Sequence, residues 1–195
     1  MTDEYGLNPR VSGVSLLDLR TLFGNDNPVI LEIGSGKGRF LFEAARDNPL
    51  CNYLGVEKSL HYSRFIERRL RASTVTNARV INFDAETVLA EMLPSSSVRE
   101  IHIYFPDPWP KKKRQKRRIV RPGTLHEFSR VLEAGGAGIY VTDHQTYFEA
   151  AALAFEQVFD IDAGEVPDSR APRTNYEAKF REKGRPIFEL RFRKR

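Results

Sequence analysis

Four acids, Glu32, Glu57, Asp84 and Asp107, stand in or directly after short apolar runs, where an unpaired buried carboxylate is costly. The first belongs to the segment Leu31-Glu32-Ile33-Gly34-Ser35-Gly36-Lys37-Gly38. Gly34, Gly36 and Gly38 alternate, so the backbone can turn sharply there and approach a ligand without a Cβ in the way. Their spacing fits neither G-x-G-x-x-G, because residue 39 is Arg39, nor G-x-x-x-x-G-K-S/T. That disfavours an NAD-dependent dehydrogenase and a P-loop phosphate site. Glu57 follows Gly38 by about 19 residues, where an acid accepts from ribose hydroxyls in folds of this type. Asp84 closes the next run in the same way and suits an adenine amino group. Two accounts of Glu32 stand side by side: an ion pair with an arginine, or a carboxylate answering a cationic ligand such as a sulfonium or an amino acid's ammonium.

The fourth acid lies in Phe105-Pro106-Asp107-Pro108-Trp109-Pro110, followed by residues 111–118, seven of which are basic. Prolines on both sides of Asp107 restrict its backbone, and Trp109 offers a flat surface. A fixed acid beside an aromatic and a basic run reads as a place to grip a nucleobase while cations hold phosphates. The plainer account is a proline-rich turn with Trp109 in the core and a solvated basic loop. His61, His102, His126 and His144 are scattered without metal-ligand spacing, and His144 is the one placed near these residues by its neighbour Asp143. No metal is implied.

The elements that must carry these groups alternate. Residues 29–33, 53–56, 80–83, 101–105 and 138–141 read as strands. Helical spacing covers residues 38–46, 60–70, the run through Val88, Leu89 and Met92, a helix through 128–132 stopped by Gly135 and Gly136, and about 147–158. Strand-like residues 159–166 and 187–192 close the chain. Repeated βα units of this kind give an α/β fold with a mostly parallel sheet covered on both faces. Ligands then lie beyond the carboxyl ends of the strands, where the acids are. Residues 106–122 and 166–174 are long non-periodic connections, of the kind that often carry function.

At 195 residues the chain fits one domain. Residues 1–28 are expected to form an N-terminal extension, and 29–195 a single domain. No apolar run reaches the roughly 18 residues of a membrane span, and the acidic start Met1-Thr2-Asp3-Glu4 does not open a secretory signal. Cys51 alone makes neither a disulfide nor a zinc cluster. These features lead to the expectation of a soluble cytoplasmic protein with no membrane contact. Lys and Arg number 31 against 26 acids, a net charge of +5. The excess is small, but it is concentrated in residues 111–118 and in Arg191, Arg193, Lys194 and Arg195, as in polyanion-binding proteins.

From Val29 to its C-terminus the chain resembles the tRNA (guanine-N7-)-methyltransferases of the bacterial single-chain type. The resemblance rests on residues 31–38, Gly55-Val56-Glu57, Phe83-Asp84-Ala85, Phe105-Pro106-Asp107-Pro108-Trp109 with its basic continuation, Thr142-Asp143 and Thr174-Asn175-Tyr176-Glu177. It implies a Rossmann-like, seven-stranded class I methyltransferase fold whose last strand is antiparallel. It implies S-adenosyl-L-methionine as cofactor, held by Glu32, Gly34, Gly36, Gly38, Glu57, Asp84 and Asp107, with Asp107 also catalytic. It further implies that Lys111, Asp143, Thr174, Asn175, Tyr176 and Glu177 contact the substrate guanosine, at position 46 in the variable loop of tRNA. No obligate protein partner is expected, and the chain is taken as a monomer or homodimer. The family usually has Arg-His in the basic loop where this chain has Lys113-Arg114. Of the basic N-terminal arm common in the family, Arg10 and Arg20 make a thin version.

The implied chemistry suits this inventory. Guanine N7 carries an in-plane lone pair, so no proton has to leave before it attacks a methyl group. A general base is unnecessary, and nearby carboxylates favour the cationic product purine. Transfer to an exocyclic amine, or to another RNA, is the neighbouring reading. Enzymes acting on such amines use a D/N-P-P-aromatic segment, which Asp107-Pro108-Trp109 matches in part.

Overall fold

The computed structural model describes residues 5–9, 16–166 and 171–195. The expectations about residues 1–4 and Arg10 fall outside these. Eight strands form one sheet: β1 (Gly6–Leu7), β2 (Val29–Ile33), β3 (Asn52–Val56), β4 (Ala78–Ile81), β5 (Val98–Tyr104), β6 (Leu132–Thr142), β7 (Phe159–Glu165) and β8 (Phe188–Lys194). Their spatial order is β1-β4-β3-β2-β5-β6-β8-β7. All pairings are parallel except those of β8 with β6 and β7. The seven strands from β2 to β8 match the expected class, antiparallel last strand included, and the two-residue β1 adds an eighth.

The helices are α1 (Leu19–Phe23), α2 (Arg39–Asp47), α3 (Leu60–Arg71), α4 (Ala85–Thr87) continuing into a wide turn at Val88–Met92, α5 (Pro122–Val131), α6 (Gln145–Glu156) and α7 (Asn175–Glu182). Side chains alternate across a strand, so Leu31 and Ile33 of β2 join α1, α5 and α6 on one face. Ile30 packs on the other face with α2 and α3. Leu31, Leu54, Ile101 and Ile103 are fully buried, each worth about 1.5–3 kcal/mol. Glu32 shares the face of Ile30 by the same alternation. Its cross-strand neighbours are Gly55 and His102.

Several boundaries differ from the sequence reading. β4 ends at Ile81, because Asn82 turns away and donates through Nδ2 to the Glu57 carbonyl at 2.9 Å. The helix before Gly135 stops at Val131, with Leu132 already extended. Gly135 and Gly136 instead lie in a looped-out stretch of β6, between the Val98–Leu132 and Glu100–Ala137 pairings, where Gly135 has φ of 71°. Helix α7 lies between the 166–174 connection and the last strand, where the sequence reading places no element. Strand order reverses between β2 and β5, which opens a crevice at their carboxyl ends.

Candidate active site

At that crevice β2 runs into Gly34, Gly36 and Gly38, whose φ values of 77°, 54° and 67° favour glycine. A Cβ on Gly34 or Gly36 would meet nothing within 4 Å, so their bare backbone faces open space. Gly38 differs. A Cβ there would come within 2.7 Å of Ile66, so this glycine lets α2 pack on α3. The turn is tied to β3 by Glu57, which accepts from the Gly36 N–H at 2.7 Å and from the Ser59 N–H at 2.7 Å. Burial raises the Glu57 carboxyl above its usual range. Asp84 caps α4 by accepting from the Glu86 N–H and pairs with Lys58 Nζ at 2.8 Å. Burial pushes its carboxyl up, and the Lys58 ammonium together with the N–H groups of Thr87 and Glu86 outweighs that and holds it low.

Glu32 lines a cavity of about 230 Å³ together with Gly34, Phe40, Tyr104, Asn175 and Tyr176. Its Oε2 is buried without a hydrogen-bond partner, and no ion pair reaches it among the described residues. The arginine partner considered from sequence is therefore not there. Burial pushes the Glu32 carboxyl up to about 8; the nearby Ser35 hydroxyl opposes this and the Glu57 carboxylate adds to it. A buried acid with one unpartnered oxygen, beside bare glycine backbone, fits the amino-acid end of S-adenosylmethionine, whose ammonium would favour the ionised form. Below about pH 8 the empty site holds a proton that a cationic ligand must expel, so affinity rises with pH and then levels off. Binding of S-adenosylhomocysteine at pH 7 is expected to release about one proton. Calorimetry in buffers of different ionisation enthalpy measures this, and no release would remove Glu32 from contact with the ligand.

The cavity opens into a cleft of about 1000 Å³, with Gly34, Gly36, Tyr62, Tyr104 and Tyr176 lining both. Glu57, Asp84, Asp107, Trp109 and Arg117 line the cleft, so all four acids face one continuous space. Phe105 and Trp109 have φ of 50° and 41°, strained values for side chains of that size. Asp107 between them is exposed and makes no hydrogen bond or ion pair among the described residues. Trp109 is not in the core: Arg114 and Arg117 stand over its ring at 5.9 and 5.1 Å. Arg118 leaves the pattern of the basic run. It is buried, donates through Nε to the Pro108 carbonyl at 2.8 Å, and stacks over Tyr147 at 4.4 Å. It anchors the strained turn from below. Its position against the apolar pair Ile119-Val120 was the one signal in the sequence.

The remaining residues separate. Asn175 and Tyr176 line the smaller cavity, as does Thr174, whose Oγ1 accepts from the Glu177 N–H and caps α7. Glu177 is wholly buried behind this wall, accepting from the Arg173 N–H at 3.0 Å and from Arg181 at 2.9 Å. Thr174 and Glu177 stand at the T-x-x-E spacing of a capping box, with the Glu177 carboxylate taking the N–H of Arg173, one residue before the cap. Asp143 lines neither space and pairs with Arg185 at 2.7 Å. Lys111 is exposed on the loop outside the cleft. His144 caps α6 by accepting from the Tyr147 N–H. The C-terminal basic cluster lies at the opposite end of the sheet: Lys194 donates to the Leu132 carbonyl and Arg195 pairs with Asp160. It does not join the basic loop. Arg20 is likewise paired, with Asp26.

Among the described residues no group of His, Cys, Asp and Glu is arranged to hold a metal, and no helix is long and apolar enough to cross a membrane. A family model described as "Putative methyltransferase" matches residues 26–190. A tRNA (guanine-N(7)-)-methyltransferase of Nitrosococcus oceani is 36% identical over 193 residues, covering 98% of this chain and 80% of that protein. One from Listeria monocytogenes is 37% identical over 179 residues, covering 88% of this chain and 82% of its own. The crystal structure of the 16S rRNA methyltransferase KamB superposes with a TM-score of 0.71 at 16% identity, over 92% of this chain and 94% of that one, a likeness of fold.

Proposed function

The chain belongs to the tRNA (guanine-N7-)-methyltransferase family, and on that premise we propose that it transfers a methyl group from S-adenosyl-L-methionine to N7 of the guanine at position 46 of tRNA. The observation that carries the reading is the unpartnered carboxylate of Asp107, set on a strained turn in the same cleft as Glu57 and Asp84.

The bound cofactor supplies a methyl group activated by its sulfonium. Glu32 faces the ammonium of its amino-acid end, Glu57 accepts from the ribose, and Asp84 faces the adenine. Gly34 and Gly36 let the backbone lie against it, and Gly38 keeps the helix behind them in place. Asp107 accepts from the guanine N1–H and amino group, which turns N7 toward the methyl. Its charge also favours the cationic product. Trp109, with Arg117 over it, offers a stacking surface beside the base. The exposed lysines of residues 111–116 meet phosphates. Asn175 and Tyr176 close the side of the pocket, while Glu177 acts from behind by fixing the start of α7. A tRNA substrate supports action in the cytoplasm.

The test is incubation of the protein with labelled S-adenosylmethionine and unmodified tRNA, followed by base-resolved mapping of the methyl group. Label at a guanine N7 outside the variable loop would move the target. Label on an exocyclic amine, or on other RNA alone, would overturn the reading.

A further inference from the structure

Arg173 precedes the Thr174–Tyr176 wall and does not itself line the cavity. Its guanidinium reaches the sheet in two places. Nη2 donates to Glu189 of β8 at 2.7 Å, and Nη1 donates to the Tyr104 hydroxyl of β5 at 3.3 Å. Its own N–H donates to Glu177. One residue thus joins the start of α7 to two strands.

The far side of Tyr104 is equally fixed. Glu100 is held in its charged form first by a hydrogen bond from His102 Nε2, at 2.9 Å. Burial keeps His102 neutral, so with Nε2 protonated its Nδ1 accepts, and the Tyr104 O–H donates to it at 2.9 Å. The tyrosine oxygen is left to accept from Arg173. Donors and acceptors therefore run in one direction, from Arg173 through Tyr104 and His102 to Glu100. Phe40 stacks on His102 at 4.6 Å and lies 4.9 Å from Tyr104, closing the relay from the cavity side. Each member has a single role available, which makes the arrangement specific as well as buried. Tyr104 is also a wall of both the cavity and the cleft.

We propose that Arg173 is a positioning residue that pins the Thr174–Tyr176 wall to Tyr104 and Glu189, and thereby sets how tightly the amino-acid end of the methyl donor is held. The inference rests on the assignment of the Glu32 cavity to that end of S-adenosylmethionine. The ties within α7, Thr174 to Glu177 and Arg181 to Glu177, shape the helix start but do not reach the sheet. At that end Arg173 supplies a polar link to two strands, at Tyr104 and Glu189.

Two probes separate this role from general stability. S-adenosylhomocysteine fills both halves of the donor site, whereas methylthioadenosine has no amino-acid end. In calorimetry on the full chain, Arg173→Ala is expected to weaken S-adenosylhomocysteine by about tenfold while methylthioadenosine changes by less than about twofold. Arg173→Lys keeps a cation for Glu189 without the second donor arm and is expected to fall between. Tyr104→Phe keeps the ring, removes the hydroxyl, and should show the same selective loss in smaller measure. It decides the matter if Arg173→Ala does not fold. Equal loss for both probes, or no loss for either, overturns the proposal. Wild-type protein that binds neither probe overturns the underlying assignment instead.

Discussion

Asp107→Asn is expected to lower single-turnover methylation at saturating cofactor and tRNA by about a hundredfold or more, with tRNA affinity little changed. The substitution keeps the shape of the side chain, removes its charge and replaces one acceptor with a donor. Guanine would then meet an amide that cannot accept from both N1–H and the amino group, and N7 would lose its fixed bearing on the methyl. The charge that favours a cationic purine would go as well. The obvious rival, a structural tie between Asp107 and a neighbouring arginine, has no support in the geometry. The carboxylate has no partner among the described residues, and the turn is held instead by Arg118 at the Pro108 carbonyl. Thermal melting should therefore be near that of wild type. Because no proton is removed, the wild-type rate near neutral pH should not follow the titration of a base. A variant that melts early but methylates at the normal rate would make Asp107 structural and end this account of the mechanism.

Neutralising Lys111, Lys112, Lys113 and Lys116 with glutamine should flatten the dependence of log affinity for tRNA on log salt. Each phosphate contact releases counterions worth about 0.7–0.9 in slope, so four contacts give about three units. These four are exposed, and the substitutions leave Arg114 and Arg117 over Trp109 and Arg118 in its buried seat. A change in slope would then report lost phosphate contacts and not a collapsed loop. Affinity for S-adenosylhomocysteine serves as the control and should hold. An unchanged slope, measured over the same salt range, would mean that tRNA lies on another face of the molecule.

The sheet was largely legible because its signal is strong. Residues 29–33 are apolar apart from Glu32 and buried on both sides, and β2 has those bounds. The four acids were legible because a carboxylate at the end of a buried strand lacks a folding reason to be there. What failed were judgements on which way a long side chain points. Arg118 looks like one cation among seven, yet it turns inward because Tyr147 and the Pro108 carbonyl give it a flat face and an acceptor. Glu177 sits in a segment rich in polar residues, yet Arg181 and the Arg173 N–H take up its charge inside. The Arg173–Tyr104 link joins residues 69 apart, and no periodicity encodes such a meeting. Gly135 and Gly136 were read as a helix stop because glycine marks turns of many kinds, and only the pairing of β6 with β5 shows which kind is present.

Strand β1 bears on how this molecule can be shortened or fused. The family match begins at residue 26, but pairing and packing with the sheet reach further back. The Val80 N–H donates to the Tyr5 carbonyl at 3.0 Å and the Asn82 N–H to the Leu7 carbonyl at 2.9 Å, while Leu17 and Phe23 sit in the main core. A protein cut back to the family boundary would leave β4 with a row of open backbone donors, which is a template for edge-to-edge aggregation. It would also bare the apolar floor beneath α1. Poor solubility in such a truncated form would thus reflect a missing flank.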